Sequence, residues 1–318
     1  WSVGRVAGVS LVLAFLAGAA APAKAWAQYF GQNKVRYNPM DFKVLETEHF
    51  DIHYYDEKRD AAVEAGRLAE RWYARLLPIF GEPLSSRQAI VLYASHPDFR
   101  GTTVVPGEIG ETTGGLTEGV RRRIVMPLAG PLAETDHVLG HELVHAFQFD
   151  VINRLAKQDV AARGAFSLPL WFIEGMAEYL SVGPVDAHTA MWLRDGVARD
   201  ALPSLARLDD PKYFPYRWGH AFWAYVAGRY GDGVVKPLLV TAATTGEAVP
   251  ALQAVLKVEE VELSRAWHES LKQTFASAPA DATTITSTRP LLPELTDARL
   301  NLGPAMSPDG RHVAFFSE

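Results

Sequence analysis

Apolar and polar positions follow two different periods along the chain. Residues 42–55 alternate with a period of two and are rich in Phe, Tyr, Ile and Val, which predicts one or two β-strands. Residues 88–95 and 122–128 have the same character and predict further strands. Between the first two of these segments, residues 58–79 carry apolar side chains at helical spacing, which predicts an amphipathic helix.

A helix is predicted at the junction after the strands, and from residue 170 onward the pattern is nearly all helical. The predicted helices span residues 132–150, 170–182, 186–199, 215–230, 233–243 and 249–276. Residues 96–120, rich in Gly, Thr and Pro, predict a long loop, and residues 151–169 predict a second one. Because strands come early and helices late, we expect an α+β fold with an N-terminal mixed sheet and a mainly helical C-terminal subdomain.

The last part of the chain changes in character. Residues 277–293 contain few large apolar side chains and predict a linker. "SPDG" (307–310) predicts a turn, and "RHVAFFS" (311–317) predicts a short strand. This segment resembles the repeat of TolB-type β-propellers, which implies that residues 294–318 form the first strand of a truncated propeller, since a propeller has about 4–8 blades.

The N-terminus has the features of an export signal. Arg5 precedes the apolar stretch 6–21, and "AWA" (25–27) has the form of a cleavage site. We therefore expect residues 1–27 to be a signal peptide of a periplasmic or secreted protein that begins at Gln28. The alternative is an uncleaved membrane anchor, although the apolar run is short for a span. No later segment predicts a membrane span.

Composition narrows the possible chemistry. Apolar residues make up 48% and charged residues 21%, as is usual for globular proteins. The net charge of −6 and the lack of a long basic run argue against nucleic acid as a partner. With no cysteine in the chain, a transition metal would have to be bound by His, Asp or Glu.

The strongest chemical signal is "DHVLGHELVHAFQFD" (136–150). Its three histidines recur at four-residue intervals, so that neighbouring ones lie on one helix face about 6 Å apart. His137 and His145 would lie about 12 Å apart and could not share an ion. His141 and His145 enclose a carboxylate, Glu142, in the pattern H-E-x-x-H. This favours these two histidines as metal ligands and Glu142 as the general base for a metal-bound water.

A third metal ligand is expected in "LPLWFIEGMAEYL" (168–180). Glu174 and Glu178 lie four residues apart on one face of an otherwise apolar helix. A buried carboxylate without a partner is costly. A metal ion would satisfy one of them, and the second ring N–H of a ligating histidine would satisfy the other. Nitrogen and oxygen ligands of this kind suit one Zn²⁺ ion.

"HELVH" (141–145) followed by "WFIEGMAEY" (171–179) resembles the gluzincin metallopeptidases, and in particular the peptidase MA-like domain of bacterial exported proteins. The segments "VLETEHFDIHYY", "VLYASHPDF" and "GGLTEG" are also similar to this family. The resemblance covers residues 28–276 and implies a zincin-like fold with a metallopeptidase domain.

The resemblance also implies a role for each motif residue. His141, His145 and Glu174 would bind one Zn²⁺ ion, and Glu142 would be the general base. Glu178 would orient a ligating histidine. The substrate would be a peptide or a protein.

Two further implications concern the cleft. The strand at 122–128 would be the edge strand that pairs with an extended substrate. The interval between His145 and Glu174 is longer than in thermolysin, so the loop at 151–169 would form part of the cleft or a lid.

An oxyanion donor is expected in "YFPYRWGHAFWAYVAGRYG" (213–231). Tyr216 and His220 lie on one face of this predicted helix, and either could donate a hydrogen bond. The alternative is that both are packing residues. Glu118 could bind a substrate amino group, as a similar residue does in aminopeptidases; the alternative is a surface glutamate in a loop.

Two other functions are compatible with the sequence. One is a catalytically inactive, peptidase-like scaffold attached to a β-propeller, against which the intact H-E-x-x-H with Glu174 argues. The other is a metallohydrolase that acts on a bond other than a peptide bond.

Overall fold

The computed structural model describes residues 39–55, 58–105, 107–128, 130–158, 168–275 and 301–317. The predicted signal peptide at 1–27 and the predicted linker at 277–293 lie outside these residues. The chain divides into two compact units, with the boundary between Phe275 and Ala276.

The first unit contains a mixed five-stranded sheet. Its strands are β1 (Lys43–Glu46), β2 (Phe50–Tyr54), β3 (Gln88–Tyr93), β4 (Leu116–Glu118) and β5 (Arg123–Pro127), in the order β1-β2-β3-β5-β4. The three central strands β2, β3 and β5 are parallel, and the two edge strands pair antiparallel to their neighbours. Phe50 and Ile52 are fully buried and alternate with less buried residues, as the period of two predicts.

Helices account for most of the other described residues of the first unit. The described residues contain α1 (Arg59–Phe80), α2 (His96–Arg100), α3 (Leu132–Gln158), α4 (Leu170–Val182), α5 (Ala187–Ala198), α6 (Pro215–Tyr230), α7 (Val235–Thr245), α8 (Ala248–Leu256) and α9 (Glu260–Phe275). The α+β class is confirmed, with the sheet early and most helices late. Helices α4 and α6 begin and end at the predicted residues.

The edge strand differs from the prediction. Strand β5 lies between β3 and β4, so the expectation that residues 122–128 form the edge is wrong. The edge is β4, which falls inside the segment 96–120 that the sequence predicts as loop. A strand of three residues carries too little periodicity to be recognised, and its pairing depends on a partner that follows it in the chain.

Two helix predictions also need correction. Helix α3 continues to Gln158, so that the predicted loop 151–169 begins later, because Ile152 is buried and extends the apolar stripe. The predicted helix 249–276 is two helices. Lys257 adopts the left-handed conformation with φ of 59° and ends α8, and α9 begins at Glu260.

Helices α4 and α6 cross with their backbones in direct contact. A Cβ atom at Gly219 would lie 2.2 Å from the carbonyl oxygen of Trp171, and one at Gly175 would lie 2.4 Å from the carbonyl carbon of Gly219. Glycine at both positions permits this approach. The crossing brings the residues that follow Trp171 on α4 close to the first turn of α6.

The described part of the second unit is an antiparallel hairpin of β6 (Asn301–Met306) and β7 (Val313–Ser317). The predicted "SPDG" turn joins them: Asp309 accepts hydrogen bonds from the Ser307 hydroxyl at 2.6 Å and from the Arg311 amide at 3.1 Å. The sequence predicts one strand here, and the structure contains two. No described helix is both long and apolar enough to span a bilayer.

Candidate metal centre

The candidate metal centre consists of His141, His145 and Glu174. Helix α3 presents the two histidines one turn apart, and α4 presents the glutamate. The Nε2 atoms of the histidines are 3.1 Å apart, and Oε2 of Glu174 lies 3.0 Å from Nε2 of His141 and 3.1 Å from Nε2 of His145. Three such atoms at nearly equal spacing suit an ion with Zn–N and Zn–O distances of about 2.0–2.2 Å. The three predicted ligands are therefore brought together.

Gln148 orients the second histidine. Its side-chain nitrogen donates to the carbonyl oxygen of Ile173 at 3.0 Å, so its side-chain oxygen is left to accept. That oxygen lies 2.8 Å from Nδ1 of His145, which therefore carries the hydrogen. The remaining ring atom, Nε2, points its lone pair into the candidate metal centre, as a metal ligand requires.

Glu178 lies behind the first histidine, as expected, and is buried. Its Oε1 atom is 3.2 Å from Nδ1 of His141, at an angle that favours charge attraction more than a hydrogen bond, and 3.4 Å from Nε2 of His137. Its Oε2 atom accepts a hydrogen bond from Arg217 at 3.0 Å. Arg217 also bonds Asp186 at 3.2 Å, so Glu178 is held from two sides.

The negative charges of Glu174 and Glu178 favour a positive charge between them and the histidines. Burial lowers the pKa of His141, but the close carboxylates of Glu174 and Glu178 outweigh burial and raise the pKa to about 10. Burial raises the pKa of Glu174, but hydrogen bonds with His141 and His145 hold it well below its usual value. The pKa of Glu178 is likewise depressed: burial opposes the shift, and His137 and His141 outweigh burial. A bound proton or a metal ion can supply the positive charge.

Glu142 follows the first histidine and points to the side of the candidate metal centre. Its Oε2 atom accepts a hydrogen bond of 2.6 Å from the hydroxyl of Thr117 on β4. The side chain is largely buried but borders an open cleft of about 470 Å³. The carboxylate is thus placed where it can take a proton from a water in the cleft.

The cleft contains the candidate metal centre and has mostly uncharged walls. Its lining includes Leu116, Thr117, Phe149, Leu170, Ile173 and Tyr216. Among the described residues, the acidic ones that border it are Glu142 and Glu174. A substrate in this cleft would meet apolar surface around one polar centre, which is the usual character of a binding site.

Tyr216 reaches the candidate metal centre and His220 does not. The ring of Tyr216 borders the cleft and lies nearly parallel to that of His141, with centroids 5.9 Å apart. Burial, together with the charge of Glu174, raises the pKa of Tyr216, so its hydroxyl keeps its proton. His220 is buried, with Nε2 2.7 Å from the carbonyl oxygen of Gly183 and Nδ1 3.0 Å from the hydroxyl of Thr189. Both of its ring nitrogens are engaged away from the cleft.

Glu118 has a partner within the sheet. It lies on β4 opposite Arg123 of β5, whose side chain donates a hydrogen bond to it. It is therefore neither a solvent-exposed loop residue nor part of the cleft lining. The pairing accounts for Glu118 without a substrate amino group.

Sequence reasoning missed three residues that contact the predicted site residues: Gln148 contacts His145, Thr117 contacts Glu142, and Arg217 contacts Glu178. Gln148 lies three residues after His145 on the same helix face, and that spacing could have identified it. Thr117 and Arg217 come from distant segments. Only the packing of β4 against α3 and of α6 against α4 brings them into contact with Glu142 and Glu178.

No known protein-family model matches the chain, and no curated protein matches it in sequence. The likeness to gluzincins consequently stays a prediction that rests on the motif residues. Function has to be argued from the geometry of the site.

Proposed function

We propose that the protein is a zinc-dependent metallopeptidase that hydrolyses peptide bonds. The observation that carries the proposal is the convergence of His141, His145 and Glu174, whose ligand atoms all lie within 4.8 Å of one another, beside Glu142 in an open cleft. Zinc bound there would acidify a water and polarise the substrate carbonyl. A gluzincin-like fold is part of the same proposal, and the α+β architecture is compatible with it.

The protein's own residues would handle the proton. Glu142 would accept it from the attacking water and pass it to the leaving amine nitrogen. Tyr216 keeps its phenolic proton and lies beside His141, so it is the candidate to donate a hydrogen bond to the oxyanion. Glu178 and Gln148 would hold the two histidines in the ring orientation that ligation needs.

The proposed substrate is an extended peptide or a protein segment. Strand β4 is one of the two edge strands of the sheet, and Leu116 and Thr117 of this strand border the cleft. The outer side of an edge strand offers backbone groups to an added strand. This support favours a peptide bond over another hydrolysable bond.

Export is a separate part of the proposal. It rests on the pattern of Arg5, the apolar stretch 6–21 and the small residues at 25–27. N-terminal sequencing of the protein recovered from outside the cytoplasm should begin at Gln28. An N-terminus that includes residues 1–27 would favour the membrane anchor instead.

The experiment that tests the activity combines zinc content with peptide hydrolysis. The wild-type protein should bind one zinc ion and cleave members of a broad peptide library, and Glu142→Gln should keep the ion and lose turnover. Bound zinc without any cleavage by the wild type would favour the inactive scaffold. Failure to bind zinc at all would end the proposal.

A further inference from the structure

The two glycines that precede strand β4, Gly114 and Gly115, lie directly against side chains of helix α3. A Cβ atom at Gly114 would lie 2.9 Å from Cγ2 of Val138, and one at Gly115 would lie 2.9 Å from Oε1 of Glu142. Either contact is shorter than real Cβ atoms show, so a larger residue at either position would force the side chain of Val138 or Glu142 to shift. The next polar side chain along the strand, Thr117, lies within reach of Glu142.

The hydroxyl of Thr117 contacts Glu142 at two atoms. Its oxygen lies 2.6 Å from Oε2 of the carboxylate and 3.0 Å from the backbone carbonyl oxygen of the same residue. A hydroxyl has one proton to donate, and the shorter distance is that of a hydrogen bond to an ionised carboxylate. The proton of Thr117 is therefore directed at Oε2.

This bond makes the two carboxylate oxygens different. Oε2 is engaged with Thr117, whereas the described residues provide no hydrogen bond to Oε1. A carboxylate held through one oxygen loses the rotation that would otherwise exchange the two. Oε1 is left as the oxygen that can take up a proton in the cleft.

We propose that Thr117 is a positioning residue for the general base: it holds the Glu142 carboxylate through Oε2 and directs Oε1 to the proton that is transferred. The inference rests on the proposed peptidase function. Thr117 also belongs to the edge strand on which the substrate backbone is expected to lie. Strand β4 would then determine both where the peptide backbone binds and how the Glu142 carboxylate is oriented. The distance between the peptide and the carboxylate would be fixed by this one strand.

Thr117→Val tests the role because valine keeps the shape of threonine and lacks the hydroxyl. We expect kcat to fall roughly 10–100-fold, the usual cost of losing an orienting hydrogen bond, with KM changed less than about threefold and the zinc content unchanged. Thr117→Ser retains the hydroxyl and should restore most of kcat. If kcat fell only because the packing changed, serine, which is smaller than threonine, would not restore it.

A second pair of variants at residue 117 keeps the test valid if the valine variant does not fold. If Thr117→Val does not fold, Thr117→Ala and Thr117→Ser differ by the hydroxyl alone and serve the same comparison. A hydroxyl-free variant that folds, binds zinc and keeps the kcat of its hydroxyl-bearing partner would overturn the inference. A rise in KM with kcat unchanged would overturn it as well, because Thr117 would then contact the substrate and not the base.

Crystal structures of the variants give a readout that does not depend on turnover. The Glu142 carboxylate should keep its orientation in Thr117→Ser and turn or become disordered in Thr117→Val or Thr117→Ala. An unchanged carboxylate in the hydroxyl-free variants would contradict the inference. If the wild type cleaves no peptide, the proposed function fails, and the position of Glu142 in these crystals still decides whether Thr117 orients it.

Discussion

At the scale of single residues, the candidate metal centre is a concentration of negative charge around two imidazoles. Glu142, Glu174 and Glu178 are carboxylates in a largely buried region, and Arg217 is the guanidinium that pairs with one of them. A buried carboxylate without a counter-charge is strongly disfavoured. The local chemistry accordingly selects for a cation between the two histidines.

Replacing a ligand should have a different effect from replacing the base. His145→Ala removes one of three donors, so we expect zinc binding and turnover to be lost together. The side chain of residue 145 also bonds Gln148, so a melting curve should accompany the measurement. Zinc content by elemental analysis checks the prediction. A full complement of zinc in His145→Ala would show that the ion binds elsewhere.

Glu178 should tune metal affinity without binding the ion. Glu178→Ala removes the carboxylate that faces Nδ1 of His141, so the ring loses its preferred orientation. We expect the dissociation constant for zinc to rise roughly 10–100-fold in a competition assay with a chelator. Glu134→Ala, an exposed site on helix α3, which carries the two histidines, is the control. Equal affinity in the two variants would remove Glu178 from this role.

At the scale of elements, the centre depends on how α3, α4 and β4 meet. The residue patterns predict α4 and α6 correctly because each is long and apolar, and they predict the start of α3 from the same signal. They do not predict β4, which is too short to show a period. The contact between α4 and α6 depends on two glycines whose importance appears only when the helices are side by side.

The close contact between α4 and α6 can be tested with a matched pair of glycine substitutions on α6. Gly219→Ala places a methyl group 2.2 Å from the backbone oxygen of Trp171 and should destabilise the protein by about 1–3 kcal/mol or more as the helices separate. Gly228→Ala lies on the same helix with no atom within 4 Å of the added Cβ, and should stabilise it by about 0.5–1 kcal/mol.

Chemical denaturation of both alanine variants measures these effects. Because the same crossing positions Glu174, zinc affinity should fall in Gly219→Ala and stay unchanged in Gly228→Ala. Equal stability of the two would mean that the helices do not approach this closely.

At the scale of the whole molecule, the sheet and the helices are tied by polar contacts far from the cleft. Glu70 on α1 accepts hydrogen bonds from the Thr47 hydroxyl at 2.6 Å and from the His49 amide at 2.8 Å. These contacts hold the turn between β1 and β2 against the helix. Burial raises the pKa of Glu70, but the bonds from Thr47 and His49 outweigh it and leave the pKa below the usual value of 4.5.

This depressed pKa predicts how stability responds to acid. A carboxyl group whose pKa is lower in the folded protein stabilises the fold above its unfolded pKa, and the contribution is lost as the pH falls through the folded pKa. Melting temperatures of wild type and Glu70→Gln should therefore differ most near neutral pH and converge below about pH 4.5. Glu64→Gln on the same helix controls for the loss of one charge. A difference that is constant with pH would contradict the assignment.

The sequence by itself determined what depends on neighbours within a few residues. The motif H-E-x-x-H, the helical spacing of Glu174 and Glu178 and the bounds of α4 and α6 all follow from local periodicity and local chemistry. The fold class follows from the order of those elements. The assignment of zinc and of peptide hydrolysis goes beyond these patterns and stays a proposal.

Only the tertiary structure decided which distant groups meet. It placed β4 and not β5 at the edge, turned Tyr216 toward the candidate metal centre while His220 bonds the backbone, and brought Thr117 to the motif. Each of these contacts joins residues more than 20 positions apart or depends on the order of strands in the sheet. Such contacts form because whole elements bury their apolar faces together, and that packing leaves no trace in the local spacing of residues.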